Sequence, residues 1–355
     1  RIQLEGDYYI KKTNDLIMSL PLPGYMGTNL AGSISSPQVN LGGLENKGYG
    51  ITLNTVNLDG AFKWRTNLNV SGFRNKLLNL YSESATLDRT NWLMPAFISR
   101  SIIGQPLWQF YGYVKEGLFT SVEDVKNSAI PVNNTVAPGS TWVGDIKYKD
   151  INGDGVIDGR DQTIIGNPWP KLNLGFTNTF NYKDFELSAM IIGGFGNDVF
   201  NYVRFKGENP TASWVGSGLL EGARDYAKLG TADNGDVYLI NKNASIPRLV
   251  ASDVNGNGNR ATQDYVEDGS YVRLKNVQLT YSLPAEYLSR IKYIKSARLG
   301  LGVQNLLTIT KYKGYDPEIG AYVGKEADPG NALIGIDYGR YPSTRMYTFN
   351  IALDF

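Results

Sequence analysis

The end of the chain alternates without a break, and that constrains the fold more than any other feature. Tyr347, Phe349, Ile351, Leu353 and Phe355 are apolar or aromatic, and Thr348, Asn350, Ala352 and Asp354 between them are small or polar. A strand sends successive side chains to opposite faces, so this segment has one greasy face and one wet face. Two architectures use such a strand: the wall of an outer-membrane β-barrel, with lipid outside and water inside, and a sheet of a soluble sandwich.

The same period recurs upstream. Tyr49, Ile51 and Leu53 alternate with Gly50, Thr52 and Asn54; Asp59-Gly60 is a turn signal; Phe62, Trp64, Leu68 and Val70 lie beyond it. Leu172, Leu174, Phe176 and Phe180 alternate with polar or small residues, and after Asn181 to Asp184 the pattern resumes at Phe185, Leu187, Ala189 and Ile191. A third pair runs through Val277, Leu279, Tyr281 and Leu283, turns near Pro284, and returns through Leu299, Leu301 and Val303. Val272 and Leu274 sit on the opposite parity from Val277 and Leu279, which predicts a β-bulge near Lys275-Asn276.

Between these hairpins lie polar stretches rich in Gly, Asn, Asp and Pro: 116–161, 201–268 and 312–342. Connections this long are unusual in a compact soluble domain but expected of extracellular barrel loops. Alternating short and long links therefore favour the barrel. Short helices are expected near Val122–Lys126, Gly218–Leu229 and Ala285–Ile291.

The expected fold is all-β: a transmembrane antiparallel barrel with long extracellular loops. Roughly ten strands are legible. The loops suit a larger, plugged barrel of about 22 strands, of which this chain supplies a part. The missing strands and the plug would come from residues outside 1–355, since an open wall in lipid leaves unpaired edges. The start at Arg1-Ile2-Gln3-Leu4 has no apolar h-region behind it, and reads as the interior of a strand in the C-terminal portion of a longer protein. No run of about 18 apolar residues suggests a spanning helix.

Composition narrows the function. Lys+Arg number 35 and Asp+Glu 34, which argues against a broad basic field for nucleic acid. There is no Cys and no His, so disulfides and thiolate metal sites are excluded and the commonest general base is missing. An enzyme is the least favoured class. Tyr, at 23 residues against 13 Phe, suits a membrane interface or the rim of a polar lumen. Tyr8, Tyr9, Trp64, Trp108, Phe110, Tyr111, Tyr113, Trp169, Tyr182 and Tyr202 lie in or near strand ends; they read as girdle residues or as stacking platforms for a substrate.

One constellation carries chemistry. Asp150, Asn152, Asp154, Gly155, the carbonyl of Val156, Asp158 and Asp161 occupy the places of a twelve-position calcium loop, with Asp in place of the usual final Glu. Neither flank reads as helical, so a structural calcium loop without paired helices is expected; the alternative is a polar turn with no ion. A weaker echo runs from Asp253 through Asn255, Asn257 and Asn259 to Asp264, and reads more readily as a flexible loop.

The segment Gly144 to Asp158, followed by Ile165-Gly166-Asn167-Pro168-Trp169-Pro170, resembles the C-terminal half of SusC/RagA-type TonB-dependent transporters of the Bacteroidetes. Asn46 to Gly50, Phe110 to Tyr113, Tyr271 to Asn276, Gln304 to Tyr312, Gly314 to Glu318, Tyr8 to Thr13 and the terminal strand are similar too. The resemblance implies a plugged barrel in the outer membrane of a Gram-negative bacterium. It further implies import of oligosaccharides or peptides, energy relayed by TonB through the missing N-terminal part, and a SusD-like surface lipoprotein as lid. Two alternatives stand beside it: a passive porin or structural barrel, and a secreted calcium-stabilised β-rich glycan-binding module.

Overall fold

A computed structural model describes residues 1–19, 37–89, 98–209, 218–288, 293–322 and 333–355. Its main element is one eight-stranded antiparallel meander: β1 (Ile2–Thr13), β2 (Gly43–Asp59), β3 (Phe62–Asn79), β4 (Leu172–Tyr182), β5 (Phe185–Phe195), β6 (Tyr271–Ser282), β7 (Ser296–Thr310) and β8 (Met346–Asp354). Each strand pairs with its neighbours in the chain. Among the described residues the sheet does not close: β1 and β8 each have one unpaired edge.

The register explains why these residues make this sheet. One row across seven strands reads Leu4, Leu53, Leu68, Phe176, Ile191, Leu274 and Leu307. Another reads Trp64, Phe180, Leu187, Leu279, Leu301 and Phe349. The opposite face carries rows such as Arg65, Thr179, Ser188, Gln278, Gly302 and Thr348. Leu301 is 57% and Phe349 61% exposed, although both belong to the apolar face. A soluble sheet buries that face; here it is the outer one, left for lipid. Phe62, Trp64 and Phe180 stack near the β2–β3 and β4–β5 turns, and Phe185 meets Tyr281 at 4.6 Å beside them, forming an aromatic belt at one end of the apolar band. Asn178 interrupts the outer face, but its Oδ1 accepts from Trp64 Nε1 at 2.9 Å and Thr66 Oγ1 at 2.8 Å. A polar group facing hydrocarbon needs such partners.

Short and long connections alternate as expected. β2–β3 and β4–β5 turn over two residues each, Gly60-Ala61 and Lys183-Asp184, with Lys183 at positive φ. β6 and β7 are joined through 283–295, which contains a short helix at Ala285–Leu288; the rest of the helix expected there lies outside the described residues. The long connections 14–42, 80–171, 196–270 and 311–345 all leave from the other end. The predicted bulge is present, as a register shift between Leu274 and Asn276, and it returns Val272 and Leu274 to the outer face.

The long connections hold more structure than their composition suggests. Thr86–Arg89, Ser99–Ile102, Gln109–Tyr113 and Gln162–Gly166 form a four-stranded sheet inside 80–171. Asp198–Asn201 pairs antiparallel with Val266–Asp268 and parallel with Ile336–Asp337, which joins the two later connections. Their common core holds Ile98, Phe110, Phe200, Tyr202, Phe205, Ala261, Tyr265 and Ile336. A second core gathers Phe119, Val125, Val143, Ile146, Tyr148 and Ile157 with Ala227 and Leu239. Three connections thus fold into one layer over one end of the wall. Val122–Lys126 is helical, capped by Ser121 Oγ accepting from Asp124 N at 3.1 Å. In the stretch expected to be helical near Gly218–Leu229, only a 3-10 turn forms, at Glu221–Arg224.

Candidate functional site

Among the described residues, the inner face of the wall and the loop layer above it present polar surface suited to handling a polar solute. Low on the inner wall, Asn67 Nδ2 donates to Asn54 Oδ1 at 2.5 Å and Asn69 Nδ2 to Thr52 Oγ1 at 2.9 Å. These amides line water rather than lipid. Higher up, the tip of the Tyr9 ring closes on Gly48; a methyl group there would stand 2.5 Å from it, so Tyr9 would have to move aside. Phe73 meets Trp169 edge-on at 5.6 Å, and Trp169 Nε1 donates to the Leu107 carbonyl at 2.6 Å. Tyr9, Phe73 and Trp169 are therefore inner-face aromatics, whereas Tyr8 and Tyr182 belong to the outer face. Phe110, Tyr113 and Tyr202 are neither girdle nor platform, because the loop layer buries them in its cores. Tyr111 carries the Arg100 guanidinium over its ring at 4.2 Å.

The acidic loop folds around its own backbone. Asp150 accepts from Gly153 N at 2.7 Å and Gly155 N at 2.8 Å. Asn152 Oδ1 accepts from Asp154 N at 2.9 Å, and Asp154 Oδ1 from Val156 N at 3.1 Å. Asp158 caps the 3-10 turn Gly159–Asp161, and buried Asp161 reaches back to Ile151 N at 3.0 Å and Asp158 N at 2.8 Å. Gly153 and Gly155, at φ of 75° and 81°, supply the left-handed backbone these turns need. The Arg160 guanidinium bridges Asp154 at 2.7 Å and Asp158 at 2.8 Å. The Gly155 and Gly153 N–H groups hold the Asp150 carboxyl below the usual range, and Arg160 does the same for Asp158. Among the described residues no three His, Cys, Asp or Glu side chains gather closely enough to hold a metal ion by themselves.

The second Asp/Asn loop is not a loose tether. Asp253 accepts from Asn257 N at 2.8 Å and Gly258 N at 2.7 Å. Asn255 and Asn257 are buried; Asn257 receives Ile146 N at 2.9 Å and donates to Asp145 at 2.9 Å. Asp145, fully buried, is clasped by Arg248 through contacts of 2.7 and 2.9 Å. Amide and guanidinium donors thus meet the acceptors of this loop, and the network ties 80–171 to 196–270.

Sequence reasoning missed the clasp that holds 311–345 to the wall. Arg273, on the inner face of β6, donates to Asp316 at 2.5 Å, Glu318 at 2.8 Å, Ser343 at 3.2 Å and Thr308 at 2.9 Å. Burial opposes ionisation of Asp316, but the N–H groups of Glu318 and Ser343 and the Arg273 guanidinium outweigh it, pulling the carboxyl down to about 2. The only local signal was an Arg where a strand alternates apolar and polar.

No family model matches the sequence. TonB-dependent receptor P3 of Formosa agariphila is 32% identical over the whole chain. TonB-dependent receptor P26 of the same organism is also 32% identical over the whole chain. TonB-dependent receptor SusC of Bacteroides thetaiotaomicron is 25% identical over 98% of it. The chain spans about a third of these relatives: 32%, 33% and 30% of their respective lengths. Among solved structures, the RagAB peptide importer superposes over the whole chain in its closed-closed state, with a TM-score of 0.67, 22% identity and 34% of that chain covered. Its open-open state gives 0.69, 23% identity and 33% covered. The likeness to RagAB bears on the fold alone. The chain is homologous over its whole length to TonB-dependent receptors, outer-membrane β-barrel proteins of which it spans about a third.

Proposed function

We propose that this chain is the C-terminal portion of the barrel of a TonB-dependent importer that takes up oligosaccharides or peptides beneath a SusD-like surface lipoprotein. One observation carries this reading: a wall with an apolar outer face and an amide-rich inner face is capped at one end by a folded layer built from three long connections. A passive pore has little use for such a layer, whereas an importer that engages a lid and a large solute needs a shaped entrance. Plug and TonB-contacting segments belong to the part of the protein outside 1–355. The test is uptake of labelled oligosaccharide and peptide mixtures by cells carrying the full-length protein, with and without TonB. Uptake that disappears without TonB supports the reading; uptake indifferent to TonB supports the passive porin.

The acidic loop takes calcium in this reading, through Asp150, Asn152, Asp154, the Val156 carbonyl, Asp158 and Asp161. The oxygen-only donor set suits a hard cation. Arg160 now neutralises two of those carboxylates, so calcium has to displace it. Terbium luminescence on the full-length protein should appear, weaken in Asp150→Asn and strengthen in Arg160→Ala. No signal in any of the three would mean that the loop takes no such cation even without Arg160, its backbone N–H groups sufficing for Asp150 and Asp161.

A further inference from the structure

The outer face of β1–β3 changes character near the loop end. Reading across the three strands, the rows are Tyr8, Tyr49 and Gly72; then Ile10, Lys47 and Arg74; then Lys12, Glu45 and Lys76. Below them the same face is Leu4, Ile51, Leu53, Leu68 and Val70. Four cations thus stand on the lipid-facing side of the wall, immediately beyond its aromatic row, around a single carboxylate. Glu45 engages Lys47 at 2.8 Å and Lys12 at 3.7 Å. Arg74 and Lys76 are exposed and form no salt bridge among the described residues.

Their height is set by the strand. From Trp64, in the aromatic belt at the turn end, to Arg74 is about 34 Å of strand at ~3.4 Å per residue. A tilt of roughly 40° leaves about 26 Å along the membrane normal, close to the ~25 Å apolar band of outer-membrane barrels. The cations therefore stand at headgroup level in the leaflet at the long-loop end. Lys and Arg there can lay their stems along apolar surface and extend their charge to an anion.

We infer that Lys12, Lys47, Arg74 and Lys76 form a docking surface for phosphate-bearing lipid headgroups of that leaflet. The arrangement favours lipid over a soluble acidic partner because the cations continue the lipid-facing rows of the wall. Of the inner-face neighbours, Asn46, Asn75 and Leu77 are partly or fully buried and uncharged, and Lys11, paired with Asn46, points its charge to the opposite side of the wall. Glu45 limits the net charge and leaves Arg74 free to offer its planar fork to phosphate oxygens.

The test uses the full-length protein extracted in mild detergent, with bound phosphorylated lipid counted by native mass spectrometry and phosphorus analysis. The Lys12→Gln, Lys47→Gln, Arg74→Gln, Lys76→Gln combination should lose lipid at least about tenfold. A charge-keeping set (Lys→Arg at the three lysines, Arg74→Lys) should retain it, and Glu45→Gln should bind more. Lys63→Gln with Arg65→Gln, on the inner face, should match the parent. If the quadruple variant does not fold, Arg74→Gln and Glu45→Gln still move binding in opposite directions. Unchanged lipid in the folded quadruple variant overturns the inference, as does an equal loss in the inner-face control. Complete displacement by inorganic phosphate would identify a free-anion site and overturn the lipid assignment.

Discussion

The wall and the loop layer use the same apolar residues in opposite ways. In the wall, Leu301, Phe349 and Ile351 are exposed; in the layer, Phe110, Phe200 and Phe205 are fully buried. The solvent makes the difference. A strand facing hydrocarbon needs no protein core on that side, only a complete backbone ladder, and the meander supplies one. A layer facing water must bury its own aromatics, and it does so by pooling three connections. Polar groups reverse in the same manner: the wall sends Asn, Thr and Gln inward to water, whereas the layer buries Asp145, Asn255 and Asn257 and joins them to one another and to Arg248.

This contrast can be broken by single substitutions, in order of expected effect. Phe200→Ala removes the ring shared by Phe110, Phe205 and Tyr265, and should cost the layer about 4 kcal/mol. Hydrogen exchange should then rise in 80–171, 196–270 and 311–345 together while the wall stays protected. Asp145→Ala leaves Arg248 without its carboxylate and should cost about 3 kcal/mol, read as proteolysis of the layer. Leu301→Arg places a charge within the lipid-facing band and should cost about 2–3 kcal/mol in bilayers, measured by urea titration of the full-length barrel in vesicles. Protonating Asp316 tests the clasp. Its folded carboxyl sits near 2, below the unfolded value, so its stabilisation is complete above about pH 4 and lost as pH falls toward 2. Exchange in 311–345 should rise across that window, and Asp316→Asn should abolish the dependence.

Much of the wall was legible because one physical rule, period two with lipid on one side, operates at every residue. Even the bulge could be read, since Leu274 and Val277 break parity. The layer was not. Its strands are two to five residues long, too short for a period to emerge. Its core pairs Phe110 with Phe200 and Ile336, residues from three connections. Within the candidate sites, the turns around Asp150 were visible because their donors and acceptors lie within a few residues. Arg160 as the bridging cation was overlooked, though it sits inside the motif. The clasp from Arg273 to Asp316 and the bond from Asn257 to Asp145 join distant positions and leave no local trace.

The central claim is that alternate residues of these strands face lipid and water. The chain has no cysteine, so nitroxide labels can be placed one at a time within it. In the full-length barrel in bilayers, labels at Leu279, Leu301 and Phe349 should collide with dissolved oxygen. Labels at Gln278, Gly302 and Asn350 should be screened from it and more open to a water-soluble relaxation agent. A two-residue period with that phase in all three strands is the predicted result; the opposite phase, or equal access to water at every position, would contradict the account.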